Sequence, residues 1–360
     1  MHVSCNFGNN IKITIFGQSH SEAIGVVIDG LPAGFELDND KIAAFMSRRA
    51  PGRNELSTPR KEADEIKIIS GVVDNITCGA PLCAVIENTN TKSSDYDKLR
   101  SIPRPSHSDF AAMMKHNGFN DIRGGGNFSG RLTAPLCFAG AVCMQLLEEK
   151  GIRIGAHIAS IGKTADEKFD SVNVNGADFD AVLSKSFPVI DSNMGEIMKN
   201  DILAAKESGD SLGGTIECAV IGMPVGIGDP IFDGIESRIS SAIFSIPAIK
   251  GIEFGSGFDG SSIKGSENND DFISENGKIK TATNNHGGIL GGISSGMPIV
   301  FRCAVKPTPS IGIEQKSVNI ATGEEETLVI GGRHDPCIVP RAVPCVEAAA
   351  AVVIADYILR

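Results

Sequence analysis

The stretch GQSHSEAIGVVIDGLPAGF, Gly17 to Phe35, lies without a gap over GDSLGGTIECAVIGMPVGI, Gly209 to Ile227. Gly17, Ser19, Ile24, Gly30, Pro32 and Gly34 coincide with Gly209, Ser211, Ile216, Gly222, Pro224 and Gly226. In each copy a Gly-Ser turn feeds a strand-like run, which ends in a Gly-x-Pro turn and enters a helix-like stretch. Downstream, GAPLCAVIENT has a weaker echo in GMPIVFRCAVKPT. Two related halves, each packed on its own sheet, account for this pattern; chance likeness of two glycine-rich strands is the alternative. One position breaks the match, because His20 stands opposite Leu212. Backbone geometry explains the shared glycines, serine and proline, since both copies make the same turns. It does not explain the histidine, which makes His20 a candidate proton donor as well as a core or surface residue.

Working outward, IKITIFG and AIGVVIDG read as the strands on either side of the first turn. DNDKIAAFMSRR is helical, capped by Asp38 or Asn39, with Ile42, Phe45 and Met46 on one face. DEIKIISGVV, PLCAVIENT and IRIGAHIASIG are strand-like. DFAAMMKHNGF is a short helix and APLCFAGAVCMQLLEEKG a longer apolar one. Residues 164–185 read as polar and loop-rich, and the chain closes on a helix over 346–360. The boundaries implied are one domain over 1–360, with halves at roughly 10–160 and 200–330.

Composition narrows the function. The 360 residues carry a net charge of −11, which argues against a broad basic surface for nucleic acid. Aromatics are 5% with no Trp, so platforms for stacking bases are scarce. No run reaches the roughly 20 apolar residues of a membrane helix, and MHVSCNFGNNIKITIFG has no signal-peptide pattern, so a cytoplasmic chain is expected. Nine scattered cysteines, without a CxxC pair or zinc spacing, fit reduced and mostly buried thiols; no metal is indicated.

Several stretches carry candidate chemistry. In RGGGNFSGR, three successive glycines free backbone N–H groups to point at an anion, and Arg123 and Arg131 flank them. It is neither a GxxxxGK[ST] loop nor a GxGxxG after a clean strand. SRRAPGRNELSTPRKE collects Arg48, Arg49, Arg53, Arg60 and Lys61, either a solvated loop or a site for a small polyanion. RPSHSDF and RHDP combine a proline-limited backbone with titratable groups, His107 in one and His334 with Asp335 in the other. Of the last two, neighbours on an extended chain, one reaches a site. NNHGGILGGISSGMP is a second glycine-dense stretch; after it, Lys306, Thr308 and Ser310 are phosphate or carbonyl ligands or a plain strand end. No GxSxG elbow occurs.

Together these stretches resemble the chorismate synthases. GQSH is similar to that family's GESHG and RPSHSDF to its RPGHADY. The Arg-rich loop, IRGGGNFSGR, NNHGGILGGISSG, KPTPSI and GRHDPCIVPRAVP match in order, from about Gly17 to Arg360. The resemblance implies an α+β fold, a β-α-β sandwich with helices between antiparallel sheets, assembled as a homotetramer. It implies a 1,4-anti elimination of phosphate from 5-enolpyruvylshikimate-3-phosphate, requiring reduced FMN (FMNH2) although the reaction has no net redox change. His20 would protonate the departing phosphate, His107 would protonate or hydrogen-bond the reduced flavin, and Asp335 would assist proton removal through it. Arg48, Arg49, Arg123 and Arg131 fall on substrate-anion positions. FMN positions fall on Asn127, Phe128, Ser129, Pro247, Ala248, Gly291, Lys306, Pro307, Thr308, Pro309, Ser310 and Arg333. Departures are Gln18, Asn127, Gly130 and Glu55, where many members have Glu, Arg, Ala and a basic residue. Some members reduce their flavin with NAD(P)H; lacking an insertion for that, this chain is expected to use an external reductant. Rival readings are an anion- or flavin-binding module without catalysis, and a phosphate lyase without flavin.

Overall fold

The computed structural model describes residues 5–52, 56, 64–89, 98–330 and 335–359. Two five-stranded antiparallel sheets enclose a layer of helices. The first sheet runs in the order Asn6–Phe7, Lys12–Gly17, Ala23–Asp29, Leu82–Glu87, Lys67–Ser70. The second runs Thr164–Ala165, Arg153–Ile161, Gly214–Ile221, Ile299–Val305, Ile249–Phe254. Apart from the two-residue edge strands, both have one connectivity: the first strand pairs the second, the second the fourth, and the fourth the third. The central strands are Ala23–Asp29 and Gly214–Ile221, the two that align in sequence. Their phases agree as well. Ile24, Val26 and Ile28 have no solvent exposure, and neither do their counterparts Ile216, Cys218 and Val220. Alternate side chains of a strand share a face, so both triplets point into the helical layer.

That layer holds α1 (Asn39–Arg49), α3 (Thr133–Glu149), α6 (Ile235–Phe244) and α8 (Val339–Ile358). Of the shorter helices, α2 (Asp109–Lys115) follows the turn that carries His107, and α7 (Gly265–Asn268) is a single turn with no buried residue. Asp38 caps α1 by accepting from the Lys41 amide, and Ile42, Phe45 and Met46 are buried as the periodicity predicts. The central pair, α3 and α8, touch along their lengths. A Cβ at Gly140 would overlap Ala348, so only glycine lets the two backbones come this close. The stretch Gly130–Glu149 is long and apolar enough to cross a membrane, contrary to the sequence expectation, but 78% of its most apolar 18 residues are buried, as in a core helix. Six of the nine cysteines are buried, as expected; Cys137 on α3 and Cys345 on α8 lie 3.7 Å apart.

Three boundaries differ from the sequence reading. The strand Arg153–Ile161, expected within the first half, is the first long strand of the second sheet. Residues 164–185 contain α4 (Gly176–Leu183), closed at its start by a reciprocal capping box between Asn175 and Asp178. Eight residues are too few for a clear helical period. The following α5 (Ser192–Glu207) is capped by Asp191. The last helix begins at Val339, not 346, because Pro340 sits in its first turn, where a missing N–H costs nothing.

Residues between the first two strands of the second half cover that sheet's outer face with Phe169, Phe179 and Val182. Beneath them His157, with no exposure, meets Glu217 at 3.1 Å and Asp166 at 3.3 Å. Burial alone lowers the pKa of His157, but the two carboxylates outweigh it and raise it. Separately, the Asp356 carboxylate of α8 accepts from the amides of Asn9, Asn10 and Ile11 and from Arg238.

Candidate functional site

The glycine turn before α3 is the centre of the site. Gly124, Gly125 and Gly126 all have positive φ, at 61°, 83° and 56°. Such a run is left-handed backbone that residues with a Cβ adopt only at a cost. Packing demands glycine here too. A Cβ on Gly124 would lie 2.5 Å from the His20 ring and from Ser19 Oγ, and one on Gly125 would lie 3.3 Å from the His107 ring. The two histidines are therefore seated on adjacent glycines. The Ser19 amide donates to the Gly126 carbonyl at 3.1 Å, fixing the first repeat's turn against this loop. In the second repeat the Leu212 amide donates to the Pro336 carbonyl at 2.8 Å, so the same turn meets the loop before α8. His20 itself is 8% exposed.

His107 is positioned from behind. Its Nδ1 lies 2.6 Å from Asp109 Oδ1, and Arg104 holds the same carboxylate through Nε and Nη2 at 2.7 and 2.8 Å. Burial pushes Asp109 up, but Arg104 and His107 win and hold its carboxyl far below the usual carboxylate range. Arg104 also donates to Ser310 Oγ at 3.3 Å. Ser106, in left-handed backbone, offers its carbonyl to Lys306 Nζ. RPSHSDF and KPTPS, 200 residues apart, are thus one wall of the site. The Lys306 amide donates to the carbonyl of Ala248, a non-glycine residue at φ 76°, next to exposed Pro247.

The arginines form a second wall. Arg49 and Arg131, 4% and 5% exposed, share the buried Asp64 carboxylate; Arg49 Nη1 is 2.5 Å from Oδ2, and Arg131 Nη1 reaches Oδ1. Arg49 further donates to Thr133 Oγ1 and the Gly130 carbonyl, and Arg131 to Asn88 Oδ1. Burial raises the Asp64 pKa, yet the two guanidiniums lower it overall. Asp64 sits at φ 50°, an uncommon conformation for this residue. Asp335 reaches this wall through Arg341, whose Nη1 is 2.5 Å from its carboxylate and whose Nε donates to the Arg49 carbonyl. Arg123 pairs with Asp121, which also feels the charge of His20.

Arg48 points elsewhere. It makes a two-pronged pair with Glu347 of α8 at 2.5 and 2.9 Å, and Glu347 also accepts from the Ala156 amide. That pair lines a cavity of about 1110 Å³ with Lys41, Arg153 and Arg341. Asn127, Phe128 and Ser129 continue the glycine turn, with Phe128 against His116. Gly291 tops the Ile289–Leu290/Ile293–Ser294 hairpin, where a Cβ would meet open space. Arg53, Glu55, Arg60, Lys61, Arg333 and His334 lie outside the described residues. Sequence reasoning did not single out Asp64, Arg104, Asp109 or Arg341. Asp109 was the most findable, an acid two residues beyond the candidate histidine.

Histidines seated on two adjacent glycines, beside buried arginines that share one carboxylate, suit an enzyme that binds an anionic substrate and moves protons, as a lyase does. A family model described as chorismate synthase matches residues 11–359. A chorismate synthase of Dehalococcoides mccartyi is 46% identical over 365 residues, covering 99% of this chain and 97% of that one. One from Thermococcus gammatolerans is 44% identical, covering 98% and 97%. A crystal structure of chorismate synthase superposes with a TM-score of 0.76 at 29% identity, over 98% of this chain and 93% of the other. The chain belongs to the chorismate synthase family, lyases that eliminate phosphate from 5-enolpyruvylshikimate-3-phosphate to give chorismate.

Membership implies a flavin, and the residues present fit one. Thr308 Oγ1 is buried without a hydrogen-bond partner among the described residues. Burial first, and then Lys250, lower the pKa of Lys306, a strain that a phosphate would relieve.

Proposed function

We propose that the chain carries out its elimination with reduced FMN, as a single domain over 1–360, assembled as a homotetramer in the cytoplasm and supplied by an external flavin reductant. The observation that carries the reading is the seating of His20 and His107 on Gly124 and Gly125, at the edge of the Arg49–Asp64–Arg131 wall. Arg49, Arg123 and Arg131 hold the substrate's anionic groups; each guanidinium carries more N–H donors than one carboxylate takes. His20 gives a proton to the departing phosphate, a role that suits an imidazole seated against the glycine turn. His107 hydrogen-bonds the cofactor, and Lys306, Thr308 and Ser310 with Asn127, Phe128 and Ser129 hold it. Those residues would hold reduced FMN, which would supply electron density for breaking the C–O bond. Asp335, ion-paired with Arg341, helps take up the C6 proton. Exposed Phe232, Phe258 and Ile279, at 89%, 80% and 76%, support contact with further copies of the chain.

The test is anaerobic phosphate release from the substrate with reduced FMN. Replacing His20 or His107 by Ala lowers kcat by roughly 10²–10⁴-fold. Folded, FMN-binding protein without turnover refutes the reading, as does activity in air with no flavin added.

A further inference from the structure

The RPSHSDF turn does more than carry a histidine. Asp109 Oδ1 accepts from two directions at once. His107 Nδ1 stands 2.6 Å from it and Arg104 Nη2 2.8 Å; Nη2 is also 3.0 Å from Nδ1, within reach to donate to that nitrogen in the other tautomer, but the 2.6 Å contact is the shorter. A carboxylate oxygen and a ring nitrogen approach that closely only with a proton between them. The other oxygen, Oδ2, is filled by Arg104 Nε at 2.7 Å and the Arg104 amide at 3.1 Å. Arg104, Asp109 and Ser310 are 7%, 6% and 6% exposed, so water does not compete for these bonds. With Nδ1 committed, Nε2 is the nitrogen facing Gly125, where a Cβ would stand 3.5 Å away.

We propose that Asp109 and Arg104 are a positioning pair for His107: Asp109 fixes the ring as the tautomer protonated on Nδ1, and Arg104 keeps the carboxylate aimed and joins it to Ser310. This rests on the role given to His107 above. Ionised Asp109 is an acceptor only, so it dictates the tautomer; an amide in its place does the reverse. In Asp109→Asn the amide oxygen takes the place of Oδ2, which receives two Arg104 donors, Nε and the backbone amide, while Arg104 Nη2 gives up its acceptor at the other position. The NH₂ then faces His107, which must offer Nδ1 as an acceptor and carry its proton on Nε2. The groove side of the ring changes from acceptor to donor while its place is unchanged.

The experiment uses full-length protein without cofactor, labelled with ¹⁵N,¹³C-histidine, the His107 signals being assigned by their loss in His107→Gln. The wild-type ring shows the Nδ1–H tautomer and Asp109→Asn the Nε2–H form. In anaerobic turnover Asp109→Asn loses roughly 10–100-fold in kcat, as oriented second partners of functional histidines do, with KM for the substrate little changed. Asp109→Glu restores the Nδ1–H tautomer and most of the rate. An Nε2–H tautomer in the wild type overturns the proposal even if no variant folds. So does a tautomer that ignores Asp109→Asn, or a switched tautomer with undiminished kcat. Full activity in His107→Gln instead refutes the role of His107 and is recognised separately.

Discussion

Gly124→Ala puts one methyl group where the structure has no room for it. The new Cβ would lie 2.5 Å from His20 Cε1, His20 Nδ1 and Ser19 Oγ. Ordinary contact needs about 1 Å more, and neither neighbour retreats freely, since the Ser19 amide is tied to Gly126 and His20 is buried. Holding alanine at φ 61° costs about 1–2 kcal/mol in addition. That strain lowers the melting temperature by only a few degrees in a chain of this size. The rate suffers more, because displacing a reacting group by about 1 Å costs on the order of 10²-fold. The assay is anaerobic phosphate release beside a thermal melt. Gly130→Ala is the control: it lies in the same loop and has open space around its Cβ position. A Gly124→Ala enzyme with kcat within about threefold of wild type, or a Gly130→Ala enzyme equally impaired, refutes the reasoning.

Asp64→Asn leaves two buried guanidiniums sharing a neutral group, and is expected to cost about 3–5 kcal/mol in a denaturant titration and to raise KM for the substrate. Because the folded pKa of Asp64 is lowered, the stability it provides is complete above the unfolded carboxylate value and is lost as pH falls through the folded one. An Asp64→Asn variant with an unchanged acid limb contradicts this. For His157 the sign is opposite. Its folded pKa is raised, so its ion pairs with Glu217 and Asp166 stabilise fully below the unfolded value and fade as pH rises through the folded one. The melting advantage of wild type over His157→Gln therefore shrinks as pH climbs above the ordinary histidine value of about 6.5; a constant gap excludes it.

What was legible in the sequence was whatever repeats along the backbone. The phase of Ile24, Val26 and Ile28 against Ile216, Cys218 and Val220 places both central strands, and the glycine run before α3 announces a turn that only glycines make freely. What was not legible was pairing across the chain. Arg48 reads as one more cation of a basic loop, but Glu347, from the other end of the sequence, takes both of its prongs. A hint was present: a lone acid in the apolar run CVEAAAA cannot stay charged in a core without a cation nearby. Asp64 and Arg341 were missed for the same reason, since their partners are set by how α1, α3 and α8 meet. His107 was legible in RPSHSDF, but its pairing with Asp109, and which oxygen faces which nitrogen, belong to the folded turn.

The Asp356 contacts bear on when the molecule can finish folding. Its bond to the Ile11 amide spans 345 residues, so the first strands leave the ribosome long before their anchor is made. Until the last helix is synthesised, the amides of Asn9, Asn10 and Ile11 have no carboxylate to cap them, and Arg238 lacks its acceptor on α8. The earliest-made edge of the first sheet is thus the last part to be secured. A chain stopped a few residues short would be frayed at both ends, and a quality-control protease would meet two openings from one missing side chain.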